Sequence, residues 1–329
     1  MTPRRVTAPL FFAMLVISLT MVGTPPPAQA AFPGLPGRIA SNNLPQAGGF
    51  ENNVYTSLID GTSVHKLTSD GHSKNPAWSP DGTQIALNRR GDIFVMSATG
   101  TDVHRVTTLG GSYQPAWSPH GKRLLFVHAS VRGFGNIWVV GATGGTPRQL
   151  THDGSPSTCW SDGHPTWSPL GGKIAYDQWS AGGCAAQWPR VKVLDLSSWT
   201  AAAITYADHP DFTADGRGIF FGDYYDTEAG YLIPYNEGWS NLRGENRSVL
   251  TNIYCAEGDY CFEEGVAAPD SAFPSNASFL FVATNSDENG SWFCLETSDP
   301  GAGSDFGWCS GRDPAYWPIQ ISWRSLPAT

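Results

Sequence analysis

The sequence predicts an all-β protein built from repeated sheets, because of its composition, its lack of helical periodicity and an internal repeat. The 329 residues include 37 glycines and 25 prolines, and only 15% are charged. Glycine and proline interrupt helices but suit short strands joined by tight turns. No window of a dozen residues repeats its apolar positions with the period of a helix. Strands are therefore expected throughout the chain.

The internal repeat is marked by a five-residue box of the form W-S-P-x-G. Intact copies span Trp78–Gly82, Trp117–Gly121 and Trp167–Gly171. Degenerate copies follow as F-T-A-D-G at Phe212–Gly216, F-P-S-N-A at Phe273–Ala277 and D-P-A-Y-W-P at Asp313–Pro318. Six copies of one unit predict six sheets of the same kind.

Each box carries the residues that a repeating sheet needs. Its tryptophan is expected to pack between neighbouring sheets, and its proline and glycine set a tight turn between the first two strands. A four-stranded sheet cannot bury both faces alone, so the copies must pack around a common axis. We therefore predict a six-bladed β-propeller with four-stranded antiparallel blades, which forms a single domain over residues 31–329.

The strands between the boxes give the repeat a family resemblance. I-F-V-M at 93–96 and V-H-R-V-T at 103–107, together with the boxes, resemble the WD40-like (PD40) repeats of secreted bacterial TolB-like six-bladed propellers. The resemblance is strong from Val54 to Tyr176 and weaker afterwards. It implies that the chain starts at the second strand of a blade, whose first strand would come from Pro314 to Trp317. Pairing of the N- and C-terminal strands would then close the ring.

The start of the chain and its cysteines predict an exported protein. Residues 1–30 combine Arg4 and Arg5, an apolar run and an A-x-A site ending at Ala30, which is typical of a signal peptide. An even number of cysteines in an exported chain indicates disulfides, although the count leaves their pairing open. The pairs we favour from their positions are Cys159–Cys184, Cys255–Cys261 and Cys294–Cys309.

The charge of the chain limits the classes of partner that it can bind. The net charge is −9, and removal of Arg4 and Arg5 with the signal peptide makes it more negative. Nucleic acid and anionic membrane surfaces are poor partners for such a protein. The sequence has no G-x-S-x-G elbow and no phosphate-binding glycine loop. We expect a secreted monomer that does not insert into membranes and that binds a protein or a neutral glycan.

A candidate ligand site comes from the residue before a second proline, which lies two positions ahead of each box, as Asn75 precedes Pro76. This position should enter the innermost strand of each blade at the mouth of the central channel. The residues at this position are Asn75, Gln114, His164, His209 and Asp313, with Asp270 or Ala268 in the fifth copy of the repeat. Together they could hold a polar ligand, and His164 and His209 could bind a divalent metal ion. The plainer alternative is that these groups solvate a water-filled channel and cap strand ends.

A second candidate site is a match to a calcium-binding loop. Asn285 to Glu296 reads N-S-D-E-N-G-S-W-F-C-L-E, which fits the calcium-loop template except for asparagine at its first position. The same segment lies where the repeat requires a hairpin between two strands. Calcium binding and a plain hairpin therefore both remain open.

Two functions follow from these features. The family resemblance implies a binding or scaffold protein of the cell envelope or secretome. The alternative is a carbohydrate-active enzyme, a lyase or glycosidase with a metal-dependent site at the channel mouth, in which His209, Asp208 or Asp211 acts as general acid or base. Surplus tryptophans in the loops, such as Trp160, Trp179 and Trp188, could stack on sugars.

Overall fold

The computed structural model describes residues 35–42, 52–58, 63–130, 133–181, 183–185, 187–226, 232–246 and 248–249, and strand segments at 263–267, 279–287, 290–298, 306–309 and 321–326. Every regular element in these residues is a β-strand. Within them, no helix has the length and apolarity that crossing a membrane requires. The expected signal peptide lies outside the described residues.

The strands follow one another as sheets, in chain order. The first blade contains β1 (Leu35–Asn42), β2 (Val54–Ser57) and β3 (His65–Lys66) and is joined by the C-terminal strand β24 (Ile321–Leu326). The second contains β4 (Ser73–Trp78), β5 (Gln84–Arg89), β6 (Asp92–Ser97) and β7 (His104–Arg105). The third contains β8 (Ser112–Trp117), β9 (Arg123–Ala129), β10 (Gly135–Gly141) and β11 (Arg148–Gln149).

The later blades have longer strands. The fourth blade contains β12 (Trp160–Trp167), β13 (Lys173–Ser180), β14 (Arg190–Asp195) and β15 (Ala201–Thr205). The fifth contains β16 (Ala207–Phe212), β17 (Gly218–Asp226), β18 (Leu232–Asn241) and β19 (Ser248–Val249). All neighbouring strands within these blades are antiparallel, with β4, β8, β12 and β16 innermost.

The box forms the turn that the sequence predicts. In the second blade, Asp81 Oδ1 accepts hydrogen bonds from Ser79 Oγ at 2.6 Å and from the Thr83 amide at 3.0 Å. Gly82 has a φ of +63°, a left-handed conformation that glycine adopts without strain. The turn therefore joins the first and second strands tightly, and Trp78 at the strand end is 1% exposed.

Apolar clusters lie between consecutive blades. Between the second and third blades, Ile93 and Val95 pack against Leu124 and Phe126, all 0–1% exposed. The box residue Trp117 joins this cluster, and its Nε1 donates to the Ala77 carbonyl of the preceding blade at 2.9 Å. Similar clusters join the first blade to the second, the third to the fourth and the fourth to the fifth. Burial of each large apolar side chain contributes about 1.5–3 kcal/mol.

A repeated hydrogen bond fixes the loops that lead into the boxes. In each case the backbone amide of a loop glycine donates to a side-chain oxygen. Gly71 donates to Asn53 Oδ1 at 3.1 Å, Gly110 to Asp92 Oδ1 at 3.2 Å, and Gly154 to Asn136 Oδ1 at 3.0 Å. Each loop is thus tied to the third strand of the blade that precedes it, so the next innermost strand begins at a defined point.

The expectation of six four-stranded blades is wrong, and five blades of three to four strands replace it. In four of these five, the outermost strand is only two residues long. Strands β20 (Glu263–Ala267), β21 (Phe279–Asp287), β22 (Gly290–Ser298) and β23 (Phe306–Cys309) pair as a further sheet, but their side-chain packing lies outside the described residues. The last two boxes predicted from the sequence, Phe273–Ala277 and Asp313–Pro318, lack the D-G turn that Phe212–Gly216 keeps, and both lie outside the described residues.

The two ends of the chain meet in the first blade. Strand β24 pairs antiparallel with β1, and Ile39 lies opposite Trp323. The sequence places the pairing strand at Pro314 to Trp317, whereas the structure places it at Ile321–Leu326, so that assignment is corrected. Residues 310–320 lie outside the described residues.

Candidate functional site

Four of the sequence-predicted site residues occupy one equivalent position in successive blades. Asn75, Gln114, His164 and His209 each lie within an innermost strand, where the pairing with the second strand shifts register. All four have left-handed φ values, of +50°, +52°, +40° and +45°. A bulge of this kind changes the direction of a side chain, and left-handed backbone at a non-glycine residue is strained. Such strain is common at functional sites.

The last two of these side chains lie against each other. The imidazole rings of His164 and His209 have centroids 3.8 Å apart, with the planes tilted by 33°. Both residues are half-buried, and they belong to the innermost strands of the fourth and fifth blades. The repeat thus brings two potential metal ligands together across a blade boundary.

A buried carboxylate, Asp177 on β13, completes this cluster. Its Oδ2 accepts hydrogen bonds from His164 Nδ1 and from the His209 amide, both at 2.8 Å. The side chain is fully buried. Burial raises the pKa of Asp177, but the neighbouring His164 and His209 outweigh it and hold the pKa below its usual value. The group is therefore an anion beside two imidazoles.

One oxygen of Asp177 has no partner within the part of the chain that the structure describes. Oδ1 is buried and makes no hydrogen bond there. Potential ligand atoms of His164, Asp177 and His209 all lie within 4.8 Å of one another. Two imidazole nitrogens and one carboxylate oxygen are a donor set that suits zinc and related transition-metal ions.

Sequence reasoning missed Asp177 because it considered only the residue before the proline that precedes each box. The position that Asp177 occupies in the fourth blade holds Asn88 in the second blade and Val127 in the third, after the apolar runs I-A-L and L-L-F. The polarity of this position varies among the intact copies of the repeat, so a polar residue there is not by itself a signal of a site.

Two glycines make room for the groups around the cluster. A Cβ at Gly163 would meet the ring of Trp179 at 2.1 Å, so only glycine allows Trp179 to lie where its ring centroid is 5.7 Å from that of His164. A Cβ at Gly222 would meet Asp208 Oδ1 at 2.5 Å, and that oxygen lies 3.1 Å from His209 Nδ1. The site therefore has an aromatic side at His164 and an acidic side at His209.

The remaining bulge residues contribute differently. Gln114 Oε1 accepts a hydrogen bond from the His164 amide at 3.0 Å, which links the third blade to the fourth. Asn75 occupies the same bulge in the second blade, whereas the cluster belongs to the fourth and fifth. Asp270 and Asp313 lie outside the described residues, so their predicted role stays a prediction.

A second polar network lies beside the cluster in the fourth blade. Asp162 is fully buried and accepts hydrogen bonds from Thr151 Oγ1 and, at 2.5 Å, from Gln178 Nε2. Burial raises the pKa of Asp162 to about 6 in spite of these bonds. Arg190 donates to Gln178 Oε1 at 3.0 Å and lies over the ring of Trp160 at 4.2 Å.

The predicted disulfide Cys159–Cys184 is confirmed, with the Cα atoms 5.8 Å apart. It joins the segment before β12 to the segment after β13, next to Trp160 and Trp179. Cys294 and Cys309 are directly opposite each other in the pairing of β22 with β23, and their bond stays a prediction. Cys255 and Cys261 lie outside the described residues. A disulfide is typical of exported proteins.

The calcium-loop match falls in two paired strands. Asn285–Asp287 belong to β21 and Gly290–Glu296 to β22, with Asn285 opposite Trp292 and Asp287 opposite Gly290, and residues 288–289 lie outside the described residues. A calcium loop must wrap its oxygen ligands around one ion, and extended paired strands do not provide that arrangement. The described strands therefore fit the hairpin alternative, and calcium binding stays a prediction.

Comparison with known proteins gives the fold. No protein-family model matches the sequence, and no curated protein matches it. TolB from Acinetobacter baumannii superposes with a TM-score of 0.62 at 18% identity, covering 87% of this chain and 66% of that one. A putative TolB from Agrobacterium tumefaciens gives 0.52 at 19%, covering 83% and 88%. Kuenenia stuttgartiensis hydrazine synthase gives 0.58 at 13%, covering 91% and 47%. At these identities the likeness concerns the fold alone: the protein is a β-propeller whose structural neighbours include TolB-like propellers.

Proposed function

We propose that the protein is an exported binding module, which holds a protein or neutral glycan partner through the loops of the fourth blade and the adjoining His164–His209 cluster. The observation that carries this proposal is the disulfide-linked aromatic surface. Cys159–Cys184 ties together the segments that carry Trp160, Trp179 and Trp188. Aromatic rings held in place bind sugars and peptides with little loss of conformational freedom.

The aromatic rings are individually supported. Trp188 is 42% exposed and packs edge-on against Tyr206, with ring centroids 5.4 Å apart. Trp160 is stacked by Arg190, and Trp179 adjoins His164. A surface of fixed rings beside polar groups is typical of ligand sites.

The charges around this surface indicate what kind of partner it accepts. Asp162, Asp177 and Asp208 lie in or next to the site. Acidic groups repel polyanions such as uronic-acid polymers and favour neutral sugars or basic peptides. The net charge of the whole chain, −9, acts in the same direction.

The proposal is tested by comparing two surfaces of the fourth blade. Purified protein is applied to a glycan array and to a secretome pull-down, alongside Trp179→Ala, Trp188→Ala and the control Leu170→Ala. Leu170 is 64% exposed in the box turn of the same blade. We expect both tryptophan variants to lose at least about tenfold in affinity, the effect of about 1.4 kcal/mol. Equal binding by all four proteins would refute this surface as the binding site.

A carbohydrate-active enzyme is the second candidate, because Asp208 and His209 form a close carboxylate–imidazole pair. Such pairs act as general acids and bases. Incubation with neutral polysaccharides and, separately, with uronic-acid polysaccharides distinguishes the two functions. A glycosidase releases new reducing ends without unsaturation, and a lyase releases unsaturated ends from the uronic-acid polymers only. Either product should be absent in His209→Ala, whereas a binding module releases neither.

A further inference from the structure

We propose that His164, Asp177 and His209 bind a single divalent transition-metal ion, for which zinc is the best-suited occupant. The buried oxygen Oδ1 of Asp177 is the first observation that supports this site. A buried carboxylate oxygen without a hydrogen-bond partner is costly, since it has lost water and gained nothing in exchange. Oδ1 is such an atom among the described residues, while Oδ2 already has two donors.

The separation of the three groups fits one ion. Zinc lies about 2.0–2.2 Å from imidazole nitrogen and carboxylate oxygen, so two ligands of one tetrahedral ion are about 3.3–3.6 Å apart. The potential ligand atoms here lie within 4.8 Å of one another. Side-chain movements of under about 1 Å would bring all three into coordination.

The groups around the cluster would hold the ligands in place. The His209 amide donates to Asp177 Oδ2, which fixes the carboxylate and leaves Oδ1, which has no donor among the described residues, available as a ligand. Gln114 anchors the His164 amide, and Trp179 lies beside the His164 ring. Outer groups of this kind are what orient metal ligands in known sites. Three protein ligands would leave a coordination position open to a partner or to water.

The donor set selects the class of metal. Calcium and magnesium prefer sites made entirely of oxygen, which two imidazoles do not provide. Imidazole with carboxylate suits zinc and its transition-metal neighbours. The same residues could instead form a metal-free ion pair between a protonated His164 and Asp177. That alternative leaves Asp177 Oδ1 unsatisfied.

The test is a calorimetric titration of tag-free protein with zinc, after removal of bound metal by a chelator. We expect one saturable site per chain, with a Kd of about 1 μM or lower, and no saturable site for calcium. Asp177→Asn, which keeps the shape of the side chain, and His209→Ala should each weaken binding by at least about tenfold. The matched control is His128→Ala, since His128 is a partly buried histidine of the third blade that packs on Trp138.

Folding of each variant is measured without metal, so that loss of the ligand can be separated from loss of the structure. If Asp177→Asn does not fold, His209→Ala decides the question alone. Absence of a saturable zinc site in the wild type would overturn the inference, as would unchanged affinity in the folded variants. Partner binding by the metal-free protein is measured in parallel, so that failure of the metal site and failure of the proposed function are distinguished.

Discussion

The third and fourth blades share a scaffold but differ in the groups they place on it. Both have the intact box, the same bulge and matching apolar interfaces. Aligned on their box tryptophans, Ser112 corresponds to Asp162, Gln114 to His164 and Val127 to Asp177. The repeat therefore fixes where side chains lie, and the substitutions within it decide whether chemistry is available there. The predictions below test this separation of scaffold from site.

The largest effect should be the same in both blades, because it concerns the shared scaffold. Phe126 in the third blade and Tyr176 in the fourth are 0% and 2% exposed at equivalent positions. Replacing either by alanine should lower the free energy of unfolding by about 3–5 kcal/mol, measured by urea denaturation. A large loss in one blade and a small loss in the other would mean that the blades are not equivalent.

Removing the disulfide should affect only the fourth blade. The double variant Cys159→Ser, Cys184→Ser removes a cross-link between two residues that are 25 positions apart in the sequence. The expected loss is about 2–4 kcal/mol, because the unfolded chain gains freedom. Denaturation with and without reductant measures it. A wild type unaffected by reductant would show that the bond adds little.

The sequence predicted the scaffold better than the site. The boxes specified their own turns, and the residue before the proline that precedes each box located four bulges in four blades. The sequence did not predict two features, the number of blades and the role of Asp177. Degenerate boxes such as Phe273–Ala277 resemble the unit but lack its D-G turn, whereas Phe212–Gly216, which also lacks the tryptophan, keeps that turn and belongs to the fifth blade. Asp177 was missed because its partner His209 is brought close only by the packing of two blades, which no local pattern shows.

Filling the space beside His164 should damage the site and spare the scaffold. Gly163→Ala places a methyl group where Trp179 lies, with a contact of 2.1 Å that the ring must relieve by moving. We expect zinc affinity to fall by about tenfold or more and tryptophan fluorescence to change. Tyr113→Ala, at the corresponding position of the third blade, is the control. Unchanged zinc affinity in Gly163→Ala would show that Trp179 does not position the ligand.

The smallest predicted effect is a dependence of stability on pH that arises from Asp162 in the fourth blade. Ser112, at the equivalent position of the third blade, has no carboxyl group to produce it. The pKa of Asp162 is raised to about 6 from 3.8, so the folded protein retains a proton that the unfolded chain releases. Stability should therefore fall as the pH rises between these two values. In Asp162→Asn the free energy of unfolding should fall less over the same range. Identical slopes for the two proteins would contradict the raised pKa.

Side chains from two blades, His164 and Asp177 from the fourth and His209 from the fifth, are proposed to converge on one ion. X-ray absorption at the zinc edge, on protein loaded with one equivalent of zinc, tests it directly. We predict a spectrum of nitrogen and oxygen ligands with the scattering pattern of two imidazoles, reduced to one imidazole in His209→Ala. A spectrum without imidazole, or one identical in the two proteins, would contradict the claim.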